Sequence, residues 1–180
     1  QEAGRRRRDI DLIHHEQKDR QDRRDWTPKR FGVMAELRNV LLERVRMYDP
    51  GFFLSVDSDI LLHPEALTSM LEETHRFDAI GGKCYMGLGR SLPNCGNVDV
   101  NGALKNRTDA DGACFKTSVI MALKLMQPSA YKIDYQDHHK GEDIGWSLAC
   151  RAASLSLGWD AKVCSKHVMK REFLDKVDRR

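Results

Sequence analysis

The stretch that most constrains this chain is Gly51-Phe52-Phe53-Leu54-Ser55-Val56-Asp57-Ser58-Asp59-Ile60, an apolar run that stops abruptly at two carboxylates. The run has the length of a buried strand. In an extended chain residues i and i+2 point the same way, so Asp57 and Asp59 leave the strand's carboxyl end side by side. Open α/β sheets take their ligands at that edge. Two adjacent anions repel unless positive charge lies between them, and a divalent cation with hard oxygen ligands meets that need. The expectation is an acid pair that holds a metal ion, with the metal holding a diphosphate.

A chain of 180 residues is long enough for one domain with a real hydrophobic core. With 41% apolar and 32% charged residues, it has the balance of a soluble globular protein. No apolar run approaches the ~20 residues of a membrane span. Gln1-Glu2-Ala3-Gly4 and the arginines that follow have no apolar core behind them, so no signal-peptide pattern is present. Cys84, Cys95, Cys114, Cys150 and Cys164 are odd in number and form no C-x-x-C pair, which argues for reduced thiols and a cytoplasmic location over a disulfide framework or zinc knuckle. A net charge of +3 gives no case for a nucleic-acid partner.

Residues 1–30 are dense in charge, with Arg5 to Arg8 offset by Asp9, Asp11, Glu16, Asp19, Asp22 and Asp25, and are expected to be a solvated segment. Val33, Leu37, Val40, Leu41 and Val45 recur at helical steps and predict a helix over 33–47, which Asp49-Pro50-Gly51 stops. Pro64 and Glu65 signal a second helix start, with Ala66, Leu67, Met70 and Leu71 as its buried stripe. A short strand is expected over 78–82, a functional loop over 87–106, a strand at Cys114-Phe115-Lys116 and a helix over 117–126 capped by Thr117. Ile144, Trp146, Leu148, Ala149 and Ala152 describe a helix from Glu142 to about Leu155, and residues 158–163 a last strand, with His167 beyond it. Short strands alternating with helices argue an α/β domain over 31–170, followed by a charged tail, 171–180.

In order, these pieces resemble the GT-A glycosyltransferases, a family that uses nucleotide-sugar donors. The matching segments are Ala35-Glu36-Leu37-Arg38-Asn39-Val40-Leu41-Leu42, Val56-Asp57-Ser58-Asp59 as the D-x-D motif, Leu62-His63-Pro64-Glu65-Ala66-Leu67, Asp111-Gly112-Ala113, Gly141-Glu142-Asp143-Ile144-Gly145-Trp146-Ser147 as the E-D segment, and His167. The resemblance implies a Rossmann-like mixed sheet flanked by helices. The half that binds the nucleotide would be abbreviated or incomplete, because only 56 residues precede Asp57.

The resemblance further implies that Asp59 and His167 coordinate Mn²⁺ or Mg²⁺, and that Asp57 assists through the ribose or a metal-bound water. Asp143, with Glu142 beside it, would be the base that deprotonates a glycan or protein acceptor, if the relation is to the inverting members. Asp111, Gly112 and Ala113 would meet a sugar. Trp146 is either a floor under the acceptor or core, and Arg38 either neutralises a phosphate or buttresses the acid pair. Three rival readings are a haloacid-dehalogenase-type phosphatase with Asp57 as nucleophile, a sugar nucleotidyltransferase, and a non-catalytic sugar- or polyanion-binding module.

Overall fold

The computed structural model describes residues 27–84, 93–98, 103–106 and 112–168. In chain order its elements are α1 (Pro28–Tyr48), β1 (Phe53–Val56), β2 (Ile60–Leu61), α2 (Ala66–Glu72), β3 (Ala79–Cys84), β4 (Cys95–Val98), β5 (Leu104–Asn106), β6 (Cys114–Lys116), β7 (Val119–Ile120), β8 (Leu123–Met126), α3 (Pro128–Tyr131), α4 (Glu142–Ala152) and β9 (Leu157–His167). The expectations for residues 1–26 and for the tail lie outside the described residues.

The architecture is mixed α/β. One sheet runs β1-β8-β3-β9-β2, with β6 also paired to β9. Strands β3 and β9 are parallel, and the other pairs in this sheet are antiparallel. A smaller sheet has the order β5-β4-β7. Helices cover both faces of the main sheet. On one face, Leu42, Val45, Tyr131, Trp146 and Cys150 pack with Ala79, Met126, Leu157 and Trp159. On the other, Met70 and Phe77 pack with Ile80, Leu123 and Leu125. The neighbours Ala79 and Ile80, and likewise Leu125 and Met126, fall on opposite faces as the period of two requires.

Helix α1 begins at Pro28 rather than Val33. Thr27 Oγ1 accepts the Arg30 N–H at 3.3 Å, and Pro28 occupies the first turn, where its missing donor costs nothing. Its buried residues are Ala35, Leu42 and Val45, whereas Leu37 is half-buried and Leu41 exposed. In α2 the predicted stripe is also rotated. Leu67 and Leu71 are exposed and Ser69 is buried, because its hydroxyl donates to Asp160 Oδ2 on β9 at 2.5 Å.

The largest correction concerns residues 117–126, which are two strands and not a helix. Strand β8 lies between β1 and β3, so all four of its residues are buried. A strand covered on both faces reads as a continuous apolar run, which periodicity cannot distinguish from a buried helix. The expected 87–106 loop contains β4 and β5. Buried Asn94 ties this region to the main sheet. Its Oδ1 accepts from the Cys84 N–H at 2.8 Å and from Trp159 Nε1 at 3.1 Å, while its Nδ2 donates to the carbonyls of Gly82 and Met121 at 2.9 and 2.6 Å. The last strand extends to His167, which is therefore a strand residue. No two of the five cysteines are joined in a disulfide. Among the described residues, no helix is long and apolar enough to cross a membrane.

Gly145 lets α4 lie against the loop before it, since a Cβ there would sit 2.5 Å from the Gln136 carbonyl oxygen. Backbone cannot yield as a side chain can. Gly145→Ala should therefore lower the denaturation midpoint, the overpacking cost of about 1–3 kcal/mol outweighing the gain in helix propensity. An unchanged or raised midpoint would contradict this packing.

Candidate functional site

The site is assembled where four elements meet. Past β1 the chain folds back through the Ile60 N–H, which donates to the Asp57 carbonyl at 3.0 Å. Strand β2 then pairs with the end of β9, with Ile60 opposite His167. The Val168 N–H donates to the Asp59 carbonyl at 2.7 Å. This register brings His167 Nε2 to 3.2 Å from Asp59 Oδ1. Helix α4 supplies Glu142 and Asp143 from its first turn, and α1 supplies Arg38. Together they line a cleft of about 580 Å³, one wall of which is Phe31, Met34, Leu37 and Leu41 of α1. Leu37 and Leu41, expected in the core, instead form this wall.

Behind the cleft lies Ala122, whose φ of 65° is left-handed and unusual for a residue with a Cβ. Its N–H donates to Asp143 Oδ2 at 3.0 Å, and its carbonyl accepts from the Asp57 N–H at 3.1 Å. A single peptide segment thus fixes both acidic motifs. The side chain of Lys124, fully buried, forms an ion pair with Asp143 Oδ1. Its ammonium also lies 5.3 Å from the Tyr135 ring centre and 5.6 Å from that of Trp146, and the two rings stack at 5.7 Å. Cation–π contacts of this kind partly replace lost hydration.

Arg38 Nη2 donates to Asp57 Oδ1 at 2.6 Å, and Nε lies 3.5 Å from Glu142 Oε1. Burial opposes its charge, but Asp143 and Asp57 hold the guanidinium protonated more firmly than usual. The adjacent acids are pushed apart. Burial and the neighbouring Asp143 charge raise the Glu142 pKa above the ordinary carboxylate range. Burial would raise that of Asp143 too, yet Lys124 and Arg38 more than reverse this and hold it low.

The structure brings Asp57, Asp59, Arg38, Glu142, Asp143 and His167 to one cleft. Asp57 is engaged by Arg38 and does not join Asp59 and His167. Trp146 is fully buried core. Gly112 and Ala113 are exposed ahead of β6, where the Ala113 carbonyl accepts from the Ala161 N–H at 3.0 Å, and neither lines the cleft. Strand β6 joins β9 along 158–160, away from the His167 end. Asp111 lies outside the described residues. Lys124, Ala122 and Tyr135 escaped the sequence reading. The one signal was a lysine between leucines in an otherwise apolar run.

A metal fits this donor set in part. Two ligands about 2.1 Å from one ion at a right angle lie roughly 3 Å apart, close to the Asp59–His167 separation of 3.2 Å. Carboxylate oxygen with imidazole nitrogen suits Mn²⁺. Among the described residues no three His, Cys, Asp or Glu side chains form a metal cluster, so a bound ligand and water would complete the shell.

No family model matches the chain, and no curated protein matches it. Among solved structures, the fold is similar to that of A197 from STIV, with a TM-score of 0.56 and 11% identity over 76% of this chain and 68% of that one. At that identity the likeness shows the fold alone.

Removing one partner of a buried ion pair strands the other charge, so Lys124→Met should cost about 3–5 kcal/mol in chemical denaturation. Lys124→Met with Asp143→Leu should recover most of the loss. The pair's contribution should be complete above the ordinary aspartate range and fade as pH falls through the depressed Asp143 pKa. It should also fade at alkaline pH, as Lys124 passes its raised value. Equal stability of the single and double variants would contradict the pairing.

Proposed function

We propose that this chain is a GT-A-like, metal-dependent glycosyltransferase that moves a sugar from a nucleoside-diphosphate-sugar donor to the hydroxyl of a glycan or protein acceptor. The observation that carries this reading is the convergence of Asp57, Asp59, Glu142, Asp143 and His167 in one cleft. Asp59 and His167 would hold Mn²⁺, and Asp57 is kept in place beside them by Arg38. The ion would stabilise negative charge on the departing diphosphate. Arg38 limits repulsion between Asp57 and Glu142, which would otherwise spread the cleft. The apolar wall of α1 offers contact to the uncharged part of a ligand. One carboxylate in the first turn of α4 would supply proton transfer.

The phosphatase reading needs Asp57 as a nucleophile. Its Oδ1 is bound to Arg38 at 2.6 Å, which favours a positioning role instead.

Ligands bound only by the native state raise its melting temperature. In a screen of UDP-, GDP-, CMP- and dTDP-sugars, one nucleotide class should raise the midpoint with Mn²⁺ and not with EDTA. Asp59→Ala and His167→Ala should each abolish the metal-dependent part while leaving the unliganded midpoint within a few degrees. Binding or transfer that persists in EDTA would overturn the metal assignment, and no response to any donor would overturn the transferase reading.

A further inference from the structure

We infer that Glu142, rather than Asp143, accepts the proton of the acceptor hydroxyl, and that Asp143 acts with Lys124 as a positioning pair. The inference rests on the transfer reading above and sharpens it. Both acids stand in the first turn of α4 and both line the cleft, but their surroundings differ. Each oxygen of Asp143 is already committed, Oδ1 to the Lys124 ammonium and Oδ2 to the Ala122 N–H at 3.0 Å. Two donors, one of them a buried cation, stabilise the anion and weaken it as a base. Loss of this contact would also strand the Lys124 charge.

Glu142 is held more loosely, by its own backbone N–H and a long ion pair with Arg38. Among the described residues, no side-chain donor lies nearer to it than Arg38 Nε at 3.5 Å, beyond good hydrogen-bond geometry. The strong bond of that guanidinium goes to Asp57 instead, at 2.6 Å, and Arg38 Nε itself has no hydrogen-bond partner. The Glu142 carboxylate therefore keeps its acceptor capacity. The charged and titratable groups around the acids are Arg30 and Arg38 of α1, Asp57 and Asp59 past β1, Lys124 of β8, Tyr135 and Lys140 of the loop before α4, His167 of β9, and Asp143 beside Glu142. Their balance, with burial, favours the protonated form of Glu142 and the ionised form of Asp143. A base works best when its pKa approaches the working pH.

In the step itself, the acceptor oxygen bonds to the anomeric carbon of the donor while its proton passes to Glu142. The bond from that carbon to the diphosphate oxygen breaks, and its electron pair leaves with the nucleoside diphosphate. Glu142 then returns the proton to water. One displacement at the anomeric carbon means inversion.

The test measures transfer against pH, and product anomer by NMR, for the full chain and its variants. Glu142→Gln should lower transfer by about 10²–10⁴-fold while keeping the thermal shift with Mn²⁺ and donor. Asp143→Asn removes a negative neighbour that raises the Glu142 pKa, so its acid limb should move to lower pH, with less than a tenfold loss per folded molecule. If Asp143→Asn does not fold, Lys124→Met with Asp143→Asn carries the same comparison, because the stranded charge is gone. A folded Glu142→Gln protein within threefold of wild type, or a retained anomer, would overturn the inference while leaving the transferase reading intact. A wild-type protein that neither binds nor turns over any donor would overturn both.

Discussion

A lysine buried without water must find an anion, and the frame of this molecule follows from how Lys124 does so. It lies in a strand covered on both faces, and its partner Asp143 is the second residue of α4. The start of that helix is therefore pinned to the middle of the sheet. The same carboxylate takes the Ala122 N–H, and the carbonyl of Ala122 takes the N–H of Asp57. Two motifs more than 80 residues apart in sequence thus share one peptide segment. The left-handed backbone of Ala122 is held against its preference by these bonds and by Asn94 on the carbonyl of Met121.

This frame sets the electrostatics of the cleft. Asp57, Asp59, Glu142 and Asp143 line the cleft together with Arg30, Arg38 and Lys140, and Lys124 lies buried behind it. Arg38 sits between Asp57 and Glu142, which would otherwise repel, and Lys124 sits behind Asp143. Asp59 stands at the far end of the same cleft, where its Oδ1 lies 3.2 Å from His167 Nε2.

The acid pair and the α4 acids were legible because they stand at a strand end and a helix start, which leave strong local signatures. His167 entered only through the resemblance, because the expected strand stopped at residue 163. Pairing was not legible. Nothing in the sequence told that Ile60 would lie opposite His167, which is what places the histidine at Asp59. Nor could periodicity recognise β7 and β8, because residues 119–126 read as one apolar run broken only by Lys124. In α1, the Thr27-Pro28 start signal was present but masked by the charge density around it. Leu37 and Leu41 show a limit of another kind. An apolar stripe marks what avoids water, and a ligand cleft avoids water as a core does.

The central claim is that Asp59 and His167 share one divalent ion that in turn holds a diphosphate. Electron paramagnetic resonance of Mn²⁺ titrated with the full chain, with and without nucleoside diphosphate, tests it most directly. The free-ion signal should disappear at one equivalent of protein when the diphosphate is present, and should persist in Asp59→Asn and His167→Ala. An equal free-ion signal in the wild type and in those variants, at the same diphosphate concentration, would contradict the account.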